Sequence, residues 1–185
     1  MSPIENGSGG AASGRYYGKY RGLVLDNIDP LQMGRILAQV SDVLGETTSS
    51  WAMPCVPAAG IQAGCFIVPP IGSQVWIEFE QGNPDYPIWT GGFWGTAADV
   101  PALAIAPPAI PPGQNIVLQT TGENMLLISD AAPTPATGGI ILKSTTGAMI
   151  VVNDTGIYIS NGMGASITLI GPTVAINETS LTVLG

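Results

Sequence analysis

The C-terminal part of the chain, residues 114–185, consists of paired apolar residues at alternate positions, and these pairs recur at short intervals. Alternation with a period of two indicates a short β-strand that has one apolar face. The segment therefore predicts eight strands that share one apolar stripe. Their defining pairs are Ile116/Leu118, Leu126/Ile128, Ile140/Leu142, Ile150/Val152, Ile157/Ile159, Ile167/Leu169, Val174/Ile176 and Leu181/Val183.

Part of this segment is an internal repeat. The stretch TTGENMLLISD at 120–130 returns as TTGAMIVVND at 145–154, so that Met125 corresponds to Met149 and Asp130 to Asp154, a shift of 24 residues. A shift of this length lies in the range typical of internal structural repeats. The two stretches are therefore a genuine internal repeat.

Nothing in the sequence of this segment is predicted to cover its apolar stripe. Tyr158 is the one aromatic residue, and no stretch predicts a helix. A soluble monomer tolerates only a few hundred Å² of contiguous apolar surface, so the sheet must close on itself or be covered by copies of the chain. Closure into a monomeric barrel needs strands of even length, whereas the strand starts here are 7 to 14 residues apart.

We therefore predict a homotrimer in which three chains bury their stripes on a shared axis. The interior would be Ile, Leu and Val, and the exterior Thr, Ser, Asn and Gln. The predicted core residues of this needle are Ile140, Leu142, Ile150, Val152, Ile157, Ile159, Ile167, Leu169, Val174 and Ile176.

Residues 15–95 contain all four tryptophans and all three phenylalanines, and are the part able to form an aromatic core. Turn sequences such as NIDPLQMG, PPIGS and QGNPDYP separate its strand-like runs. Five short strands with little helix between them predict the five-stranded OB-fold barrel. The predicted strands are Tyr17–Asp26, Gly34–Val40, Gly64–Val68, Gln74–Glu80 and Ile88–Phe93.

Two further segments complete the predicted organisation of this all-β chain. Residues 1–14 are rich in Gly and Ser, which predicts a flexible arm. Residues 96–113 hold five prolines, which predict an extended, semi-rigid linker. The predicted domains are thus an arm at 1–14, an OB-fold domain at 15–95, a linker at 96–113 and a trimeric needle at 114–185.

The composition argues against catalysis and against metal binding. The chain has no histidine, which excludes Ser/His/Asp and Cys/His catalysis. Its two cysteines, Cys55 and Cys65, are ten residues apart and do not match zinc-binding spacings. With a net charge of −8, the chain also lacks the Lys and Arg that phosphate binding requires. We expect no catalytic residue, no metal, no cofactor and no nucleic acid.

One carboxylate pair allows a different interpretation. Glu78 and Glu80 are predicted to project from the same face of a strand, about 7 Å apart, a separation found in inverting glycosidases. No insertion in the sequence provides a substrate groove. An acidic, solvent-facing stripe is therefore the favoured interpretation.

Residues 18–95 also carry a recognisable combination of spaced Gly, Pro and aromatic residues in the stretches GLVLDNIDPLQMGRILAQV, WAMPCVP and PPIGSQVWIEFEQGNPDYPIWTGGFWG. This combination resembles the OB domain of contractile-tail spike proteins, which include phage baseplate assembly protein V and the spike part of type VI secretion VgrG proteins. The C-terminal repeat resembles the trimeric β-helix or β-prism needle of the same family. The matching positions are Gly22, Val24, Asp29, Pro30, Gly34, Arg35, Trp51, Pro70, Gly72, Val75, Trp76, Phe79, Gly82, Pro84, Pro87 and Gly91.

The resemblance implies the membrane-piercing central spike of a contractile injection machine, most simply a phage tail, with a structural and non-enzymatic role. The OB domain would seat on a separate hub protein. Relatives that cap their own needle hold a metal with histidines, which this chain lacks. The resemblance therefore implies a separate PAAR-type tip protein, which we expect to dock on the apolar C-terminal residues Leu181, Val183, Leu184 and Gly185.

The N-terminal sequence does not resemble a signal peptide. We therefore expect synthesis in the cytoplasm and a final location in the tail baseplate of a virion or in an injection-system particle. The alternative is a non-catalytic OB-fold module on a trimeric β-stalk, acting as an adhesin or a receptor-binding fibre.

Overall fold

The computed structural model of the chain describes residues 14–105, 115–178 and 180–184, with only the backbone given for Thr182–Leu184. The chain divides into two compact units between Gly95 and Thr96. The described residues contain two four-residue helices, α1 (Ser41–Leu44) and α2 (Ala102–Ile105), and otherwise strands, turns and two short 3₁₀ segments. The predicted all-β class is confirmed. None of the described helices is long and apolar enough to cross a membrane.

The N-terminal unit is built on a half-barrel sheet with the strand order β2–β1–β6–β7–β3. Neighbouring strands are antiparallel except β3, which pairs with β7 in parallel. A separate hairpin is formed by β4 and β5. The strands are β1 (Tyr20–Asp26), β2 (Leu37–Gln39), β3 (Met53–Pro54), β4 (Ala59–Gly60), β5 (Ala63–Gly64), β6 (Gln74–Phe79) and β7 (Pro87–Phe93).

Four of the five predicted strands in this unit are present with shifted ends. The predicted strand Gly64–Val68 is wrong, because only its first residue pairs, in the short β5, and Val68 precedes two prolines. The sheet takes its fifth strand from Met53–Pro54. Pro54 lies in an edge strand, where its missing N–H costs no ladder hydrogen bond.

The core of the N-terminal unit follows from the alternation of β6. Val75, Ile77 and Phe79 point inward and are buried. Trp89 is also buried, and its indole N–H donates to the carbonyl of Gly34 at 3.0 Å. The other buried apolar residues of this core are Val24, Ile36, Ala38, Val40 and Ala52.

The C-terminal unit is an eight-stranded antiparallel sheet in which every strand pairs with the next one along the chain. All eight strands predicted from the apolar pairs are present. They are β8 (Asn115–Gln119), β9 (Met125–Thr134), β10 (Thr137–Lys143), β11 (Met149–Asn153), β12 (Gly156–Ser160), β13 (Ser166–Ile170), β14 (Thr173–Ile176) and β15 (Leu181–Leu184).

The predicted extended linker is wrong in its first half. Residues 97–99 form a 3₁₀ turn, with the Asp99 carboxylate accepting a hydrogen bond from the Thr96 N–H at 2.8 Å, and α2 follows. Pro101 stands immediately before α2, where proline is tolerated because the first helical N–H groups have no partner. Residues 106–113, like residues 1–13 of the predicted arm, lie outside the described residues.

Candidate functional site: the apolar face of the C-terminal sheet

Two rows of apolar side chains cross the whole sheet in register. Each member of a row lies directly opposite the next across the strands, as Ile159 does with Ile167, so neighbouring Cβ atoms are about 5 Å apart. We call these two rows the apolar ladder. The first row is Ile116, Ile128, Ile140, Val152, Ile157, Leu169, Val174 and Val183, and the second is Leu118, Leu126, Leu142, Ile150, Ile159, Ile167, Ile176 and Leu181.

Three five-residue turns on one side of the sheet maintain this register with the same hydrogen bond. The first side chain of each turn accepts the backbone N–H four residues later. The pairs are Thr120 with Asn124 at 3.2 Å, Ser144 with Ala148 at 3.1 Å, and Asn161 with Ala165 at 3.0 Å. These capping residues were not predicted, although a Thr, Ser or Asn at the end of each preceding strand was a signal for them, since these residues favour such local bonds.

Successive turns on this side also contact one another. The Thr145 hydroxyl donates to the carbonyl of Gly122, and the Thr145 N–H donates to the Asn124 side chain at 3.3 Å. A Cβ on Gly162 would lie 2.8 Å from the carbonyl carbon of Gly147. The turns therefore stack on each other and tie strands that are two apart in the sheet.

The ladder is exposed in the single chain. The exposed fraction of its side chains runs from 36% at Leu169 to 62% at Ile116. Leu126 and Val174 are half-buried, and the side chain of Val183 is not described. None of the described residues covers it. This is the uncovered stripe that the sequence predicts.

The opposite face of the sheet differs from the expected polar exterior. One central row runs along it, and the first part of that row is apolar and packed within the chain. Leu127, Ile141, Val151 and Tyr158 are buried there. The row becomes polar or small only at Thr168 and Ala175, further along the sheet.

The charged residues of the described C-terminal unit all lie off the ladder. Turns and strand ends carry most of them, and Asp130 extends past the ladder on the long strand β9. The ladder can therefore be buried without desolvating a charge, which would cost several kcal/mol per ion. The charged residues from position 115 onward are Glu123, Asp130, Lys143, Asp154 and Glu178.

The residues predicted to dock a tip protein lie at the last strand. Leu181 ends the second row of the ladder and is exposed. The strand β15 pairs only with β14, so it is an edge of the sheet. The side chains of Val183 and Leu184, and all of Gly185, lie outside the described residues.

The OB-motif residues Asp29 and Arg35 form an ion pair, with Arg35 Nη2 2.6 Å from Asp29 Oδ1. The Asp29 carboxylate also accepts the N–H groups of Leu31 at 2.9 Å and Met33 at 2.8 Å. The Arg35 guanidinium lies over the Trp51 ring, 5.3 Å from its centroid. These bonds close the loop after β1, so the motif fixes backbone geometry.

The other motif residues also support the fold. Val75, Phe79 and Pro87 are buried. Trp76 lies on the outer face against Phe93, with ring centroids 4.6 Å apart. Two further motif positions, Gly22 and Val24, lie on β1. The remaining positions lie in turns, loops or strand bends, namely Pro30, Gly34, Pro70, Gly72, Gly82, Pro84 and Gly91.

The two carboxylates considered for glycoside hydrolysis do not share a strand face. Strand β6 ends at Phe79, and Glu80 begins a 3₁₀ turn. Glu78 Oε1 lies 2.7 Å from Lys19 Nζ, in an exposed ion pair. Among the residues that the structure describes, no cluster of three or more His, Cys, Asp or Glu side chains is placed to hold a metal.

Two family models match the chain, one in each unit. Residues 20–94 match the type VI secretion system/phage-baseplate injector OB domain. Residues 115–182 match the phage baseplate V C-terminal trimerisation domain, and this match supports a homotrimer and a structural role in a baseplate. A search of curated proteins finds no match. The chain belongs to the phage baseplate V family of contractile-tail spike proteins.

Proposed function

We propose that this protein is the membrane-piercing central spike of a contractile injection machine, and that the apolar ladder is the interior of its trimeric needle. The ladder carries the proposal, because it runs without interruption over eight strands and stays uncovered in the single chain. Three copies that face one another around an axis would bury it completely.

The proposed mechanism is mechanical and non-catalytic. A needle transmits the force of tail contraction only if it resists local unfolding. The packed aliphatic rows of three chains and the stacked turns at Gly122, Thr145, Gly147 and Gly162 would provide this resistance. Each buried aliphatic side chain contributes about 1.5–3 kcal/mol relative to an exposed one, so fraying one strand of the trimer would expose two such side chains.

The two ends of the spike would serve different partners. The N-terminal unit, which matches an injector OB domain, would seat on a separate hub protein of the baseplate. The end of the needle would carry a PAAR-type tip protein, because β15 pairs only with β14 and is an edge of the sheet, and sheet edges with apolar neighbours bind added strands or apolar partners.

The position of the needle in an assembled particle tests this function directly. An antibody against the surface turn at Asn161–Ala165 should label the distal centre of the baseplate in extended particles. After contraction on target cells, the label should appear at the cell envelope. Label on the side fibres of the particle would contradict a central spike and would favour the adhesin alternative.

Binding of the isolated protein to cells separates the same two functions. A central spike is driven by the machine, so the purified trimer should show no saturable binding to target cells. An adhesin or receptor-binding fibre should bind them saturably without the rest of the particle. Saturable binding that a surface glycan competes away would overturn the proposed function.

A further inference from the structure

A second uncovered apolar surface lies on the N-terminal unit, where two loops, residues 27–34 and 65–72, expose large side chains. Ile28 is 77% exposed and Phe66 is 74% exposed. We call this surface the loop patch. It consists of Ile28, Leu31, Met33, Phe66, Ile67 and Ile71.

The two loops form one continuous surface. The Asn27 side-chain amide donates to the carbonyl of Pro69 at 3.0 Å, which joins the first loop to the second. Further along, a Cβ placed on Gly34 would lie 3.2 Å from the Phe66 ring. Apolar surface of this kind on a soluble protein usually marks an interface.

The loop patch carries no free charge. Asp29 is the one charged residue in the two loops, and its side chain is 3% exposed and paired with Arg35. The whole chain has a net charge of −8, so copies of the chain repel one another. Like-charged copies approach at the lowest electrostatic and desolvation cost where their surfaces are uncharged.

The loop patch lies at the end of the N-terminal unit from which the chain leaves it. Leu23, Gln74 and Phe93 lie side by side in the sheet, so both loops are at the end of the unit where β7 finishes. The chain leaves the unit at this same end, at Gly95. In a trimer joined through residues 115–182, three such ends are tethered by residues 96–114, at an effective concentration on the order of millimolar.

We propose that the loop patch is a contact between copies of the N-terminal unit within the trimer. Its occupant is the same surface of a neighbouring copy. The proposal rests on the homotrimer and does not depend on the piercing role. A contact of this kind would keep the three N-terminal units in one fixed arrangement before any other protein binds.

The two natural cysteines allow a direct test. Cys65 precedes Phe66 in the loop patch and is half-buried in the single chain, whereas Cys55 is exposed and outside the two loops. We would compare the rates at which a small thiol reagent modifies each cysteine in the native full-length trimer, using Cys55→Ser and Cys65→Ser to isolate one thiol at a time.

The expected result is slow modification of Cys65 that is relieved by opening the patch. Phe66→Asp should accelerate the reaction of Cys65 by about tenfold or more, because local cover limits access to the thiol, and should leave the rate at Cys55 unchanged. Tyr86→Asp is the matched control. Tyr86 is 61% exposed at the opposite end of the unit, beside the β6–β7 turn, so this variant should leave Cys65 protected.

Sedimentation equilibrium and tryptophan fluorescence would establish that each variant is a folded trimer. If Phe66→Asp does not fold, Ile28→Asp opens the same patch from the other loop. Equal rates at Cys65 in the unaltered and the opened trimers would overturn the proposal. So would protection of Cys65 that appears only when hub protein is added, which would make the hub the occupant. If sedimentation equilibrium gave the mass of a single chain for the unaltered protein, it would contradict the homotrimer and therefore also the proposed contact.

Discussion

Asp29 and Arg35 close the loop that follows β1, with Arg35 Nη2 2.6 Å from Asp29 Oδ1 and Arg35 Nε 3.0 Å from the same oxygen. This hydrogen-bonded pair holds the pKa of the Asp29 carboxyl well below its ordinary value, and the backbone N–H groups of Leu31 and Met33 lower that pKa further. The same pair raises the pKa of Arg35. The loop therefore contains a carboxylate that favours the folded state only while it is ionised.

We expect this pair to make the N-terminal unit sensitive to acid. The folded pKa of Asp29 lies below the ordinary value of 3.8, so its stabilising contribution is complete above that value and is lost as the pH falls towards the folded pKa. Asp29→Asn should lower the urea concentration at the midpoint of unfolding at neutral pH. That midpoint should then fall less steeply with decreasing pH than it does in the unaltered protein. Fluorescence of the four tryptophans, all in this unit, provides the measurement. An unchanged pH profile in Asp29→Asn would contradict this role.

Two adjacent residues on β13 provide a matched test of the ladder. Leu169 belongs to the ladder, whereas Ile170 points to the other face and is 50% exposed. Leu169→Asp should prevent trimer formation, because unpaired carboxylates buried near one axis cost several kcal/mol each. Ile170→Asp should assemble normally. Sedimentation equilibrium should give three times the chain mass of 18.9 kDa for the unaltered protein and Ile170→Asp, and a trimeric Leu169→Asp would show that the facing is wrong.

A glycine at the start of β10 should be essential to the C-terminal sheet. Gly139 has φ +80°, and a Cβ there would collide with the carbonyl oxygen of Val152 on the neighbouring strand. Gly139→Ala should destabilise the sheet by more than the roughly 1–3 kcal/mol of backbone strain alone. Gly171→Ala is the control, since Gly171 has φ +55° and open space around it. Thermal unfolding followed by circular dichroism should show the larger loss for Gly139→Ala, and equal losses would contradict the clash.

Tip docking should depend on the last strand. Leu184 pairs with Thr173 and so lies in a row off the ladder. Leu184→Asp should therefore leave the trimer intact and abolish capture of a PAAR-type partner in a pull-down. Ile170→Asp is the control, because Ile170 lies in the same row two strands earlier. Unchanged capture by an intact Leu184→Asp trimer would show that the tip protein docks elsewhere.

The C-terminal sheet could be predicted strand by strand because its pattern is local. Each strand pairs with the next along the chain, so alternation within about five residues specifies both the strand and its exposed face. The sequence could not predict the buried central row on the opposite face, because burial of Val151 and Tyr158 depends on which side chains pack together in the folded sheet. The trimer follows from the uncovered ladder, whereas the identities of the hub and tip partners come from the family resemblance.

The N-terminal unit was less predictable because part of its sheet is not local. The pairing of Met53–Pro54 with Ile88–Trp89 is parallel and spans only two residues, so it leaves no periodic signal. Cys65–Val68 has apolar residues typical of a strand, yet the side chains of Phe66 and Ile67 are exposed in a loop. The apolar character of this segment therefore fits an interface better than a core, and its exposed residues form part of the loop patch.

The consecutive pairing of β8 to β15 has a consequence for how such spikes change in evolution. No strand depends on a distant part of the sheet, and the 24-residue shift from Met125 to Met149 spans two strands and their turns. Duplication or deletion of one such segment would lengthen or shorten the needle by about 10 Å, while its cross-section and both ends stayed the same. The length of the proposed needle could therefore be changed by a single in-frame genetic event.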